Sequence, residues 1–211
     1  MSDQLNGIEC VVFDFGEVLI ELDYPRIIEG FSKVASLNKK EIDELVVNAP
    51  LMQQLETSQI TPKEFRKGVN ELLGMSLNDE DFDEIWNSML KNLPKWRMDM
   101  LWNIRAKYRT FVLSNSNIIH EIYFNRMIKE VTGKSSLHDF VEKCYFSHDI
   151  KLRKPYKEAY EYIIQDIGME PSKMVFLDDR LDNCEAARAS GINAIQITDA
   201  ETQLRSIFNY G

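Results

Sequence analysis

Cysteine and histidine are both scarce, with three of each in 211 residues. Cys10, Cys144 and Cys184 have no paired spacing, which excludes a disulfide framework and points to buried free thiols in a reducing compartment. His120, His138 and His148 lack metal-ligand spacing and read as surface or helix residues. Glycine and proline are sparse too, nine and six, which argues against disorder. No apolar run approaches the ~18 residues that a membrane span needs. The opening MSDQLNGIE lacks the basic-then-apolar pattern of a secretory signal, so a cytoplasmic protein without membrane contact is expected. Positive charge is in deficit: 25 Lys and Arg face 34 Asp and Glu, for a net charge of −9. Such a chain repels a phosphate backbone, so nucleic-acid binding is not expected. Any bound phosphate must therefore find local positive charge, from a metal or a placed lysine.

What is present suffices for one full α/β domain plus an insert, with 44% hydrophobic residues available for a core. The run IECVVF is too short for a buried helix, ends at Asp14 and reads as a buried strand. From residue 22 to 94 the pattern turns helical. Tyr24, Ile27, Ile28, Phe31, Val34 and Ala35 share one helical face. Thr61, Pro62 and Glu64 spell a capping box with proline at the first helical position. Asn78 opens another helix, whose apolar face carries Phe82, Ile85, Trp86 and Met89. No strand signal interrupts this stretch, so an all-helical insert is predicted. Residues 1–21 and 95–211 form the predicted core, in which helices alternate with the strands Thr110–Leu113, Cys144–Phe146, Met174–Leu177 and Ala194–Ile197. That alternation implies a Rossmann-like, mostly parallel sheet with helices on both faces.

Three of the apolar runs end in polar residues. IECVVF ends at Asp14, TFVL at Ser114-Asn115 and MVFL at Asp178-Asp179. Ligands of open parallel sheets bind at the carboxyl ends of the strands. If these strands are neighbours, three carboxylates meet a hydroxyl and an amide at one edge. Clustered carboxylates repel and raise one another's pKa unless a cation intervenes. Oxygen-only donors select a hard cation such as Mg²⁺ over Zn²⁺. Ser114 and Asn115 can hydrogen-bond phosphate oxygens. Lys154, just before a helix, can neutralise a phosphate and keep a carboxylate nucleophile ionised. These are the parts of a phosphoryl-transfer site.

Taken together, VVFDFGEVL, VLSNS, RKP and FLDDRLDN resemble, in order and rough spacing across residues 8–197, the four motifs of the haloacid dehalogenase superfamily. The helical insert after the first motif resembles the cap of one large subgroup, and the likeness is greatest to glucose-1-phosphate phosphatase-like members. The resemblance implies a Mg²⁺-dependent phosphatase of a small phosphorylated metabolite such as a sugar phosphate. It implies that Asp14 attacks phosphorus to form an aspartyl-phosphate. Asp14, the Gly16 carbonyl and Asp179 would bind the metal, supported by Asp178 and Asn183. Ser114, Asn115 and Lys154 would hold the phosphoryl group, and Tyr24 is the cap aromatic expected to face the site. One position departs from the pattern. Gly16 stands where a second Asp usually serves as general acid and base, and losing such a group typically costs ~10²–10⁴-fold in rate. Glu17, Glu21, Asp23 and Asp182 are the acids near enough in sequence to replace it. Two other readings fit the same motifs: carbon–halogen hydrolysis, and a non-catalytic binding protein on the same fold. The default oligomeric state is a monomer.

Overall fold

The run Cys10-Val11-Val12-Phe13 carries no polar side chain, so it must be covered on both faces. In the computed structural model, which describes residues 3–47 and 50–211, it forms β1 (Cys10–Phe13), whose four residues are fully buried. Parallel strands flank it on both sides: β4 (Arg109–Ser114) and β6 (Met174–Asp178). Strands β5 (Lys143–Phe146) and β7 (Asn193–Gln196) complete the five-stranded sheet, in the order β5-β4-β1-β6-β7. Phe13 is in register with Val112 and with Leu177, so Asp14, Ser114 and Asp178 finish at one edge.

Helices cover both faces, as the alternation predicts. Residues α9 (Lys157–Ile167) and α10 (Leu181–Ala189) pack Tyr160, Ile163 and Ala187 against Val12 and Phe176. On the opposite face, α6 (Lys95–Ile104), α7 (Ile118–Thr132) and α11 (Ala200–Phe208) bring Leu101, Phe124 and Leu204 onto Val11, Phe13 and Val175. A one-turn helix, α8 (Ser147–Ile150), follows β5. All three cysteines are buried free thiols. No helix among the described residues is long and apolar enough to cross a membrane.

Among the described residues the insert holds five helices: α1 (Pro25–Ser32), α2 (Lys39–Val47), α3 (Pro50–Glu56), α4 (Pro62–Leu73) and α5 (Asp79–Asn87). Both halves of the Thr61/Glu64 capping box are formed, and Asn78 caps α5 through its side chain. The apolar faces meet in a ring cluster of Phe31, Phe65, Phe82 and Trp86, with Phe65 and Trp86 centroids 4.8 Å apart. Two features differ from the sequence reading. Tyr24 and Val34 are exposed, at 53% and 47%, because α1 spans only eight residues and neither lies inside it. A two-stranded antiparallel ribbon, β2 (Glu21–Leu22) with β3 (Leu90–Asn92), stands at the base of the helices. Strands of two and three residues are too short to show an alternation.

Candidate active site

The carboxyl ends of β1, β4 and β6 converge as the strand-end argument requires. Lys154 lies in the loop between α8 and α9 and is 2% exposed. Its Nζ stands 2.9 Å from Asp14 Oδ1 and 2.6 Å from Asp178 Oδ2. Burial alone would push this ammonium down, but Asp14 and Asp178 together hold it above its ordinary value. It therefore stays charged between two carboxylates.

The two neighbouring aspartates at the carboxyl end of β6 have different surroundings. Asp178 is fully buried. Besides Lys154, it accepts bonds from Asn183 Nδ2, at 2.9 and 3.1 Å, and from the Arg180 N–H at 2.8 Å. Asp179 instead lines an open cavity of about 530 Å³ with Asp14, Gly16, Glu17, Tyr24, Ser114, Asn115, Lys154 and Asn183. Carboxylate oxygens of Asp14, Asp178 and Asp179 lie within 4.8 Å of one another. Burial, and then Asp178 and Asp179, push the Asp14 carboxyl up to about 7 in spite of Lys154. Burial and Asp178 also raise Asp179. One lysine does not balance three carboxylates, so an all-oxygen cation site fits this corner.

Asp14 Oδ1 accepts from the Phe15 N–H at 2.6 Å and faces Lys154 Nζ in the ion pair. Its Oδ2 makes no hydrogen bond among the described residues. The next residues turn sharply: Glu17 has φ +55°, and the Val18 N–H reaches back to the Gly16 carbonyl at 2.6 Å. A carbonyl oxygen has two lone pairs, so Gly16 retains one for a cation. Ser114 Oγ also makes no hydrogen bond among the described residues. Asn115 lines the cavity and is also tied to Lys154. Its amide donates to the Lys154 carbonyl at 2.8 Å and accepts from the Lys154 N–H at 2.9 Å. It fixes the lysine's backbone, and one amide hydrogen is left over.

Of the four acids offered as substitutes at Gly16, only Glu17 lines the cavity. Its Oε1 accepts from the Leu22 N–H at 3.0 Å. Glu21 pairs with Arg97 at 3.7 Å and Asp23 with Arg26 at 3.2 Å. Asp182 is gripped by Arg180 at 2.7 Å, which holds its carboxyl below the ordinary range.

Two cavity residues, Glu56 and His120, escaped the sequence reading. Glu56 ends α3, is 5% exposed and pairs with Arg153 at 3.0 Å. The available signal was an acid at i+4 from Met52, on the apolar side of its helix. His120, read as a surface or helix residue, is buried on α7 and stacks on Trp86 with centroids 5.3 Å apart. Its Nδ1 lies 2.9 Å from Asn87 Oδ1, and burial lowers its pKa to about 3. Asn87 Nδ2 donates to the Asp83 carbonyl, so its Oδ1 faces the ring and the imidazole carries its proton on Nδ1. No sequence signal links residues 87 and 120. His148 is also buried, paired with Glu121 at 2.9 Å.

A second hollow of about 530 Å³ opens within the cap and shares Tyr24, Met52 and Met89 with the first. Its remaining walls are largely apolar and hold no group of the strand-end cluster.

Comparison with known proteins bears on this geometry. The profile of the haloacid dehalogenase-like hydrolases matches residues 8–191. The chain is 26% identical to a D-ribitol-5-phosphate phosphatase of Bacteroides thetaiotaomicron, covering 90% of this chain and 91% of the relative. It is 25% identical to a phosphorylated carbohydrates phosphatase of Thermotoga maritima, covering 89% and 84%. Among solved structures, the HAD family enzyme bt-2542 of B. thetaiotaomicron, in complex with magnesium and inorganic phosphate, superposes with a TM-score of 0.80. Its sequence identity is 34%, with 90% of this chain and 93% of that one covered.

Proposed function

The chain belongs to the haloacid dehalogenase-like hydrolase family, and on that premise we propose that it hydrolyses a small phosphorylated carbohydrate or polyol through a phosphorylated Asp14. It is a phosphoric monoester hydrolase, and its cofactor is Mg²⁺. The observation that carries the reading is the clamp on Lys154, a buried ammonium 2.9 Å from Asp14 and 2.6 Å from Asp178 in the wall of the cavity.

Asp14 Oδ2 is the atom available to attack phosphorus. Lys154 favours the ionised, nucleophilic form of Asp14 and lends positive charge to the phosphoryl oxygens. Ser114 Oγ, with no other partner among the described residues, donates to those oxygens, and the spare Asn115 amide hydrogen can do the same. Asp14, Asp179 and the Gly16 carbonyl would hold Mg²⁺, while Asp178 and Asn183 keep Lys154 and the strand end in place. When bound, the ion offsets the negative charge of the transferring phosphoryl group. Tyr24, half-exposed at the cap entry, lines the rim. Carbon–halogen hydrolysis would leave the acidic corner at Asp179 without a task. A pure binding protein would have no use for a charged lysine locked against a nucleophile.

Phosphate release from a panel of sugar and polyol phosphates tests the proposal, with Mg²⁺ and with chelator. Mg²⁺-dependent release is expected, and Asp14→Asn is expected to abolish it while circular dichroism stays unchanged. A neutral amide is nearly isosteric with the carboxylate but is a poor nucleophile. Substantial release by folded Asp14→Asn, or full activity in chelator, would refute the proposal.

A further inference from the structure

We infer that Glu56, reaching the cavity from the cap helix α3, is the general acid that protonates the departing alcohol and the general base for the water that follows. This deepens the phosphatase reading and rests on it. An alkoxide is too basic to leave unprotonated, so some group in the cavity must deliver a proton. Asp14 is occupied as nucleophile, and Asp179 belongs to the cation corner. Lys154 is locked between two carboxylates. His120 carries no proton on a cationic ring at working pH, because burial holds its pKa at about 3. Glu17 spends an oxygen on the Leu22 N–H in the turn after the nucleophile. Tyr24 holds its proton above the ordinary range, so it cannot act as a base near neutral pH.

Glu56 remains, and its geometry marks it as unfinished. It is 5% exposed, yet its Oε2 has no aligned hydrogen bond among the described residues. Arg153 Nη2 stands 3.0 Å from that oxygen without hydrogen-bond alignment, and Arg153 Nε is buried and unpartnered too. A misaligned ion pair beside a buried guanidinium N–H with no acceptor leaves hydrogen-bonding capacity in the cavity wall that a ligand can take up. A substrate hydroxyl or ester oxygen supplies what both lack. Burial pushes the Glu56 carboxyl above the ordinary carboxylate range, against the lowering effect of Arg153, Lys154 and His148. Tyr24, from the cap entry, is the other titratable group facing it.

The proton balance closes over two half-reactions. Asp14 Oδ2 bonds to phosphorus as the P–O ester bond breaks. The ester oxygen keeps the electron pair, takes the Glu56 proton and leaves as a neutral alcohol. Water then gives its proton to Glu56 as its oxygen bonds to phosphorus, and the acyl-phosphate bond breaks to restore the Asp14 carboxylate. Ester and water become alcohol and inorganic phosphate, and Glu56 ends protonated as it began.

The test compares the native chain with Glu56→Gln on a polyol phosphate and on p-nitrophenyl phosphate, in Mg²⁺. The expected loss in kcat/KM is ~10²–10⁴-fold for the alkyl ester. For the aryl ester, whose oxide departs as an anion, less than about tenfold is expected on the same reasoning. Equal losses on both esters in a folded variant would overturn the assignment and leave Glu56 a packing residue. A second arm keeps Glu56 and removes its cation. In Arg153→Gln the alkaline limb of the kcat/KM profile for the alkyl ester is expected at higher pH than in the native chain. An unmoved limb overturns the inference. Absence of Mg²⁺-dependent release from either ester by the native chain would overturn the phosphatase reading itself, and this inference with it. Native turnover with identical ester selectivity in Glu56→Gln would overturn only the role of Glu56.

Discussion

Gly16 is where a single residue matters most. A Cβ built there would meet Leu22 Cδ1 at 2.9 Å, so the terminal methyl of Leu22 occupies the place of the missing side chain. A methyl at the end of a leucine can rotate away, and Gly16 has an ordinary negative φ, so the backbone does not forbid a side chain. If Glu56 donates the proton, Gly16→Asp gives the site a second donor close to the nucleophile. The expected outcome is that Gly16→Asp recovers at least about tenfold of the alkyl-ester rate lost in Glu56→Gln. Adding Leu22→Ala, which clears the clash, should recover more. Steady-state kinetics on one polyol phosphate checks this. A folded double variant with no recovery would show that a carboxyl at position 16 does not reach the ester oxygen.

At the scale of elements, the contact between α5 of the cap and α7 of the core joins the two parts of the molecule beside the cavity. His120 lies flat on Trp86 and is bonded to Asn87. Its folded pKa, about 3, is below the ordinary 6.5, so the folded state keeps it neutral while the unfolded chain takes up a proton. The sign follows: this contribution is fully present above about 6.5 and is lost as pH falls toward 3, by at most about 1.4 kcal/mol per pH unit. Native Tm should therefore drop more steeply between pH 6.5 and 4.5 than that of His120→Asn. Parallel slopes would remove His120 from the account. The elements themselves were largely legible. The helix starts at Pro62 and Asp79 are written in local capping residues, and the sheet strands are written as short apolar runs. The β2–β3 ribbon was not, because its pairing depends on residues about 70 positions apart.

For the whole molecule, one hydrophobic cluster runs from Phe31, Phe65 and Trp86 in the cap to Phe13, Phe15 and Phe124 in the core. Polar contacts cross beside it: Glu56 with Arg153, and Ser58 Oγ donating to the His148 carbonyl at 2.6 Å. Cutting the cap away would expose that shared core, which is why point substitutions probe its role better than deletion. A shared core also predicts one cooperative unfolding transition. Tryptophan fluorescence, which samples Trp86 in the cap and Trp96 and Trp102 in the core, should change at the same denaturant concentration as far-ultraviolet circular dichroism. Two separated transitions would mean that cap and core fold independently.

The sequence by itself determined the parallel sheet and which residues, Asp14, Ser114, Asp178 and Asp179, end its apolar runs; that these ends are neighbours was decided by the strand order. Local rules suffice for the runs, because a buried strand needs an apolar run and its polar ending marks the sheet edge. Only the tertiary structure decided what the rest of the cavity wall is. Glu56 and His120 reach the site from helices whose placement depends on how cap and core pack, and Asn115 turned to Lys154 because their backbones meet 39 residues apart. Pairings of that kind depend on distance in space rather than distance along the chain, and no local spacing records them.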